Sequence, residues 1–166
     1  RRELLVGSAA GAGLVIGYSV LPNAVDSASK AIAAGEWNHQ QYLTMDADGK
    51  AIVHVTKCEL GQHIATALAQ AVAEELEINW DDVSVDYPDS HAKWGLMLTG
   101  GSWSVNWTFD RNSRIGASAR IALIEAGSKM MKAMPANCYA KNSRVYTADG
   151  SKSISYKEIL LSLIHI

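Results

Sequence analysis

Ala51-Ile52-Val53-His54-Val55-Thr56-Lys57-Cys58-Glu59-Leu60-Gly61-Gln62-His63-Ile64 carries the chain from one secondary structure into another. Its first six residues are rich in β-branched side chains and read as a strand. From Ile64 onward, Leu68, Val72 and Leu76 recur every four residues, as the buried face of a helix does. Gly61-Gln62 therefore stands at a helix N-terminus. Unpaired backbone N–H groups and the positive end of the helix dipole favour an anion there, and the Gln62 amide can donate as well as accept.

Working outward, Tyr42-Leu43-Thr44-Met45 forms a second strand pattern, joined to Ala51–Thr56 through Asp46-Ala47-Asp48-Gly49-Lys50. The Asp-Gly pair predicts an antiparallel hairpin. Beyond the helix predicted over 64–77, Asp82-Val83-Ser84-Val85-Asp86-Tyr87 alternates as a strand and completes a β-α-β unit. An irregular stretch with Pro88, Gly95, Gly100 and Gly101 leads to a second helix, predicted from about Asp110 to Met134 and ended by Pro135. Gly116, Ala119, Ala122 and Ala126, beside Ile115, Leu123 and Met130, form its close-packing face. Arg144-Val145-Tyr146-Thr147 and Ile154-Ser155-Tyr156, separated by Asp149-Gly150, predict a C-terminal hairpin. The simplest layered solution is an α+β fold with helices packed on one face of a mixed sheet. Leu160 to Ile166 is apolar without a clear period and is left as an unassigned tail.

At 166 residues and 48% hydrophobic, the chain buries one core rather than two. A net charge of −2 gives it no basic field, which argues against nucleic-acid binding. Cys58 and Cys138 read as packing residues, too few for a zinc cluster. The five histidines show neither i, i+4 pairing nor an acidic partner at ligand spacing, so no metal site is expected. Ser102 and Cys58 lack a nucleophile context, and Glu74-Glu75 diverge too far on a helix to share a proton. Trp80, Trp94, Trp103 and Trp107 can stack on a flat heterocycle, although core packing is the commoner fate of tryptophan.

Residues 1–30 read as an export leader and linker. Arg1-Arg2-Glu3-Leu4-Leu5 precedes a Gly- and Ala-weakened aliphatic run to Leu21, and Asp26-Ser27-Ala28-Ser29-Lys30 is a small polar cleavage region or linker. This pattern resembles a twin-arginine signal and predicts a periplasmic or membrane-associated protein.

A second candidate loop is Thr99-Gly100-Gly101-Ser102-Trp103-Ser104. Its glycines allow close backbone approach, and its hydroxyls with exposed N–H groups form a nest for a phosphate or pterin oxygen. Both loops lie at β-to-α handovers of one unit, so they open on the same sheet edge.

The block Asp48-Gly49 through Glu59-Leu60-Gly61-Gln62, with Thr66-Ala67-Leu68, Ala73-Glu74-Glu75-Leu76 and Thr99 to Ser104, resembles the xanthine dehydrogenase and aldehyde oxidase superfamily. It is most similar to the molybdopterin-binding large subunit of isoquinoline 1-oxidoreductase type, over about residues 36–159, as an N-terminal part. The resemblance implies cofactor contacts for Gly61, Gln62, Thr99, Gly100, Gly101, Ser102 and Ser104, with Ser102 and Ser104 as hydroxyl donors. It further implies a molybdenum–molybdopterin cofactor in its cytosine dinucleotide form and an iron–sulfur small subunit as electron partner. The implied reaction hydroxylates an aldehyde or N-heteroaromatic substrate with oxygen from water. No catalytic residue is assigned within the chain, because the family's glutamate base comes from a later segment, and the fragment alone is expected to be inactive. Two positions depart from the pattern. His63 stands where the family has glycine, and its Cβ disfavours a positive φ; Trp103 stands where a basic or small residue is common. The contrasting expectation is an exported, non-catalytic α+β domain for protein or subunit interaction.

Overall fold

The structure is a computed structural model that describes residues 36–39 and 42–164, so the leader expected over residues 1–30 lies outside the described residues, as do residues 165 and 166. Four strands form the first sheet: β1 (Glu36–His39), β2 (Leu43–Asp46), β3 (Ala51–His54) and β4 (Val83–Asp86), in that order. The β2–β3 hairpin is antiparallel, as the Asp-Gly turn predicts. Asp46 Oδ1 accepts from the N–H groups of Asp48 and Lys50 at 2.9 Å each and locks that turn. β3 and β4 run parallel across helix α1 (Ile64–Leu76), which is the expected β-α-β unit. β1 adds an antiparallel edge that the sequence pattern does not announce.

Helix α2 (Ser104–Met131) starts six residues earlier than predicted. Its first half lies on α1 and its second half on a separate antiparallel sheet, β5 (Cys138–Lys141), β6 (Arg144–Thr147) and β7 (Ser153–Ser155). Helix α3 (Tyr156–Ile164) follows directly, so Tyr156 begins a helix rather than ending the hairpin. A single hydrophobic core joins Leu43, Met45 and Val53 of the first sheet to Leu68, Val72 and Leu76 of α1. It continues through Ile115, Ala119 and Leu123 of α2 to Val145, Tyr156 and Ile159. The architecture is α+β, with a mixed sheet and a small antiparallel sheet.

The small-residue face of α2 is real. Gly116 lies so near α1 that an added Cβ would sit 2.4 Å from the Val72 carbonyl oxygen. Met130, expected on that face, is exposed, and Met131 is buried in its place. The second sheet is clamped to the end of α1: the Tyr156 hydroxyl donates to the Leu76 carbonyl at 2.7 Å, and the Ser143 N–H donates to the Glu77 carbonyl at 2.9 Å. Burial raises the Tyr156 pKa well above the ordinary phenol value, so the hydroxyl stays a donor.

Candidate functional site

Both candidate loops emerge at one end of the first sheet. After β3, Val55 keeps pairing with β4 through its N–H to the Asp86 carbonyl at 2.8 Å, and Val55, Thr56 and Lys57 remain buried. The chain then surfaces at Cys58. This cysteine is exposed, which corrects the packing role expected for it: it lies past the sheet, at the start of the loop. Cys138, by contrast, packs against the core.

Residues 58–63 close on themselves. Glu59 Oε1 accepts from the N–H groups of Gly61 at 2.8 Å and His63 at 2.9 Å, while Oε2 accepts from Ala65 N–H at 3.3 Å. Burial pushes the Glu59 carboxyl pKa up, but the N–H groups of Ala65, His63 and Gly61 outweigh it, and the net shift is downward. The helix start expected to attract an external anion therefore already holds one from its own loop. Gln62 is engaged as well: its Oε1 accepts from Leu60 N–H at 2.6 Å, and its Nε2 donates to the Cys58 carbonyl at 2.9 Å. The loop is thus a rigid hairpin of side-chain and backbone bonds whose outer surface is Gly61. Nothing lies within 4 Å of where a Gly61 Cβ would be.

His63 adopts φ 60° and ψ 32°, the left-handed conformation its Cβ was expected to resist. The bonds from its own N–H to Glu59 and from Ala67 N–H to its carbonyl hold it there against that preference.

The second loop turns at Gly100 and Gly101, with Gly101 at φ 61° and Ser102 at φ 58°. Trp103 N–H donates to the Gly100 carbonyl at 3.3 Å, and α2 begins at Ser104. Ser104 is therefore the first residue of a helix and not the end of a loop. Gly101 is required: an added Cβ would lie 2.7 Å from the Trp103 ring. Gly100 faces open space. Trp103 stacks on Trp107, with centroids 5.3 Å apart, and both rings are about half exposed. Of the four tryptophans considered, only Trp94 is buried.

The two loops do converge. Cys58 N–H donates to Thr99 Oγ1 at 2.7 Å, and Lys57 Nζ donates to the carbonyls of Leu98 at 2.8 Å and Leu96 at 3.3 Å. Lys57, only 3% exposed, is a residue of this junction that the sequence reading did not single out. It stands at a strand end where alternation alone predicts nothing, and its partners lie 39 and 41 positions away. This stitching ties Thr99, at the head of the second loop, to Cys58, at the head of the first.

Around them lies a second, unanticipated set. Arg111 stacks on the Tyr42 ring at 4.0 Å, and Tyr42 donates its hydroxyl to the Trp94 carbonyl at 3.0 Å. His54, expected to lack an acidic partner, bonds Asp86 Oδ2 through Nδ1 at 2.8 Å and Thr44 Oγ1 through Nε2 at 2.8 Å. The acidic partner sits on the neighbouring strand, in register with His54, where no spacing rule finds it. Thr44 is buried, so this Asp-His-Thr row braces the sheet under Trp94 and presents no nucleophile. Leu60, Leu96, Leu98, Val105 and Phe109 remain exposed beside the loops, leaving an apolar rim.

Comparison with known proteins places this geometry. A family model described as the molybdopterin cofactor-binding domain matches residues 7–165. The chain is 36% identical over 163 residues to a membrane-bound aldehyde dehydrogenase [pyrroloquinoline-quinone] of Gluconacetobacter polyoxogenes, covering 96% of this chain and 21% of that protein. It is 27% identical over 152 residues to the isoquinoline 1-oxidoreductase subunit beta of Brevundimonas diminuta, covering 87% of this chain and 20% of that one. The crystal structure of quinoline 2-oxidoreductase from Pseudomonas putida 86 shares the fold, with a TM-score of 0.58 at 19% identity over 72% of this chain and 15% of that chain. The chain thus spans about a fifth of the length of the curated relatives it matches.

Proposed function

The chain belongs to the molybdopterin cofactor-binding domain family, and from that premise we propose that it forms one wall of the cofactor site in a molybdenum hydroxylase large subunit. The observation that carries this reading is the stitching of the Gly61 and Gly100 loops by Lys57 and by the Cys58–Thr99 bond. The residues fit a flat heterocycle bearing an anionic group. Gly61 and Gly100 offer backbone with no side chain in the way, and Ser102 offers an exposed hydroxyl that engages no other described residue.

In this role Gly100, Gly101 and Ser102 approach the pterin with N–H and hydroxyl groups. Thr99, whose hydroxyl oxygen accepts from Cys58, fixes the spacing of the two loops. Gln62 acts by holding its loop closed, with Gly61 as the approach surface. Ser104 contributes as the first residue of α2. The molybdenum–molybdopterin group supplies the two-electron redox chemistry when bound. The chain's own residues bind and orient it.

The wider reading is that the whole protein hydroxylates an aldehyde or N-heteroaromatic compound, uses the cytosine dinucleotide form of the cofactor, and passes electrons to an iron–sulfur subunit. The names of the two curated relatives support the substrate classes. The apolar rim of Leu60, Leu96, Leu98, Val105 and Phe109 supports burial of this face in a larger assembly. Export by a twin-arginine route, with a periplasmic or membrane-associated destination, is supported by the leader pattern in residues 1–30.

The test is the full-length protein, with molybdenum measured by elemental analysis and the released organic cofactor by mass, which separates a pterin from a quinone. Gly100→Val adds bulk only into open space, so it folds and should lower pterin occupancy at least tenfold. Ser102→Ala should lower it less. Unchanged occupancy in both variants sinks the site assignment, and a quinone in place of a pterin sinks the cofactor.

A further inference from the structure

Lys57 and Arg111 are two cations at the same end of the first sheet with no carboxylate on either among the described residues. Lys57 follows β3 by three residues. Arg111 rests on Tyr42, whose carbonyl accepts from His54 N–H at 2.9 Å. The Trp107 ring centroid, 6.0 Å from Lys57 Nζ, belongs to a residue one turn before Arg111 on α2, so both cations lie beside the same face of that helix. The four ion pairs of the described residues all lie elsewhere.

The bonds available to this pair are neutral. Lys57 donates to two carbonyls, which leaves one of its three N–H groups over. Arg111 donates through Nε to Asn112 Oδ1 at 3.3 Å and spreads its plane on Tyr42. Burial first, and then the charge of Arg111, lower the Lys57 pKa, while Cys58 works in the opposite direction. Burial likewise lowers the pKa of Arg111, which still stays charged. An anion lying against the pair would favour the charged form of both groups. The obvious rival for that anion, the N-terminus of α1, is already taken by Glu59.

We propose that Lys57 and Arg111 form the cationic floor of an anion subsite at the junction of the two glycine loops, and that its occupant is a phosphate group of the bound cofactor. The proposal rests on the molybdopterin reading above. Arg111, only partly buried, meets the phosphate with its guanidinium fork. Lys57 lies beneath the 96–98 segment and contributes charge while its carbonyl bonds hold that segment in place. One lysine thus both sets the loop and completes the subsite.

The probe is inorganic phosphate titrated into the 166-residue chain, followed by amide NMR, with sodium acetate at equal ionic strength as the comparison. Saturable shifts confined to residues 56–62 and 96–112, weakened at least tenfold by Arg111→Gln, support the subsite. Arg111→Gln is the primary variant because Lys57→Met also removes two loop bonds. An absent or non-saturating response overturns the proposal, as does equal binding by Arg111→Gln. An equal response to acetate also overturns it, in favour of a protein carboxylate. A full-length protein rich in molybdenum and pterin whose chain binds no phosphate refutes the subsite alone. A full-length protein without pterin refutes the cofactor reading, and this proposal with it.

Discussion

Replacing Gly116 by alanine tests how closely α1 and α2 must pack. The added Cβ would stand 2.4 Å from the Val72 carbonyl oxygen, 2.9 Å from Glu75 Cβ and 3.2 Å from Leu76 N, where ordinary contact begins at 3.4 Å. The nearest of these atoms is backbone, so no rotamer change relieves it, and α1 and α2 must part by up to about 1 Å. Intrinsic propensity works the other way, since alanine gains about 1 kcal/mol over glycine inside a helix. Overpacking in a filled core costs about 1–3 kcal/mol and sometimes more. A backbone clash belongs at the upper end, so the net loss is about 2 kcal/mol, or roughly 4–8 °C in Tm for a domain of this size. Gly127→Ala is the control. It carries the same propensity gain, but its Cβ meets Ile159 Cδ1 at 2.9 Å, Ile154 Cγ2 at 3.1 Å and Val145 Cβ at 3.3 Å. None of these atoms is backbone, and the nearest, Ile159 Cδ1, is the far end of a side chain that can shift, so the net change should fall within about 1 kcal/mol of zero. The assay is urea unfolding of both variants beside the wild type, with m-values compared to confirm two-state behaviour. Gly116→Ala as stable as the wild type, or Gly127→Ala equally damaged, refutes the packing argument.

Glu59 predicts a pH response. Its folded pKa lies below its unfolded value, so its contribution is fully present above the ordinary carboxylate range and is lost as pH falls through the folded value. Amide exchange at Gly61, His63 and Ala65 should accelerate selectively below that range, beyond the intrinsic pH dependence of exchange, and Glu59→Gln should show the faster exchange already at neutral pH; uniform behaviour across the helix would count against the cap. His63→Gly removes a left-handed strain of about 1 kcal/mol while adding backbone entropy to the unfolded chain of about 0.4–1 kcal/mol. The variant should therefore be neutral or slightly more stable by denaturant midpoint, whereas His63→Val should be clearly weaker; equal stability of all three would show that the φ of 60° carries no strain.

Much of the scaffold is legible because burial and periodicity agree in it. Ile64, Leu68, Val72 and Leu76 are all buried, and the β-branched run at 51–56 does become a strand beside a parallel partner. The start of α2 is illegible for the opposite reason. Val105, Trp107 and Phe109 are exposed, whereas Thr108 and Asn112 are buried, so the pattern along this turn is inverted. Asn112 Nδ2 donates to the Leu68 carbonyl at 3.4 Å and Thr108 Oγ1 to the Ser104 carbonyl at 2.6 Å, which satisfies the polar groups turned inward. A reader who takes apolar residues as the inner face necessarily begins the helix too late. Strand β5 escapes for a different reason, because its turn uses Asn142 and Ser143 at positive φ where glycine is the usual signal.

The same inversion bears on the site. A helix whose first turns bury polar groups and expose three large apolar ones has its hydrophobic face aimed away from this chain's core. Leu96, Leu98 and Leu60, near the two glycine loops in the chain, are exposed as well. Glycine loops are recognisable in a sequence because glycine is conformationally distinctive. The groups that decide what the loops can hold are Lys57, Arg111 and Glu59, ordinary charged residues whose meaning comes from where the fold puts them. Glu59 takes the dipole end of α1 out of contention, and Lys57 with Arg111 moves positive charge to the junction between the loops. An anion drawn to this surface therefore meets the seam between β3 and α2, not the helix start that the motif alone points to.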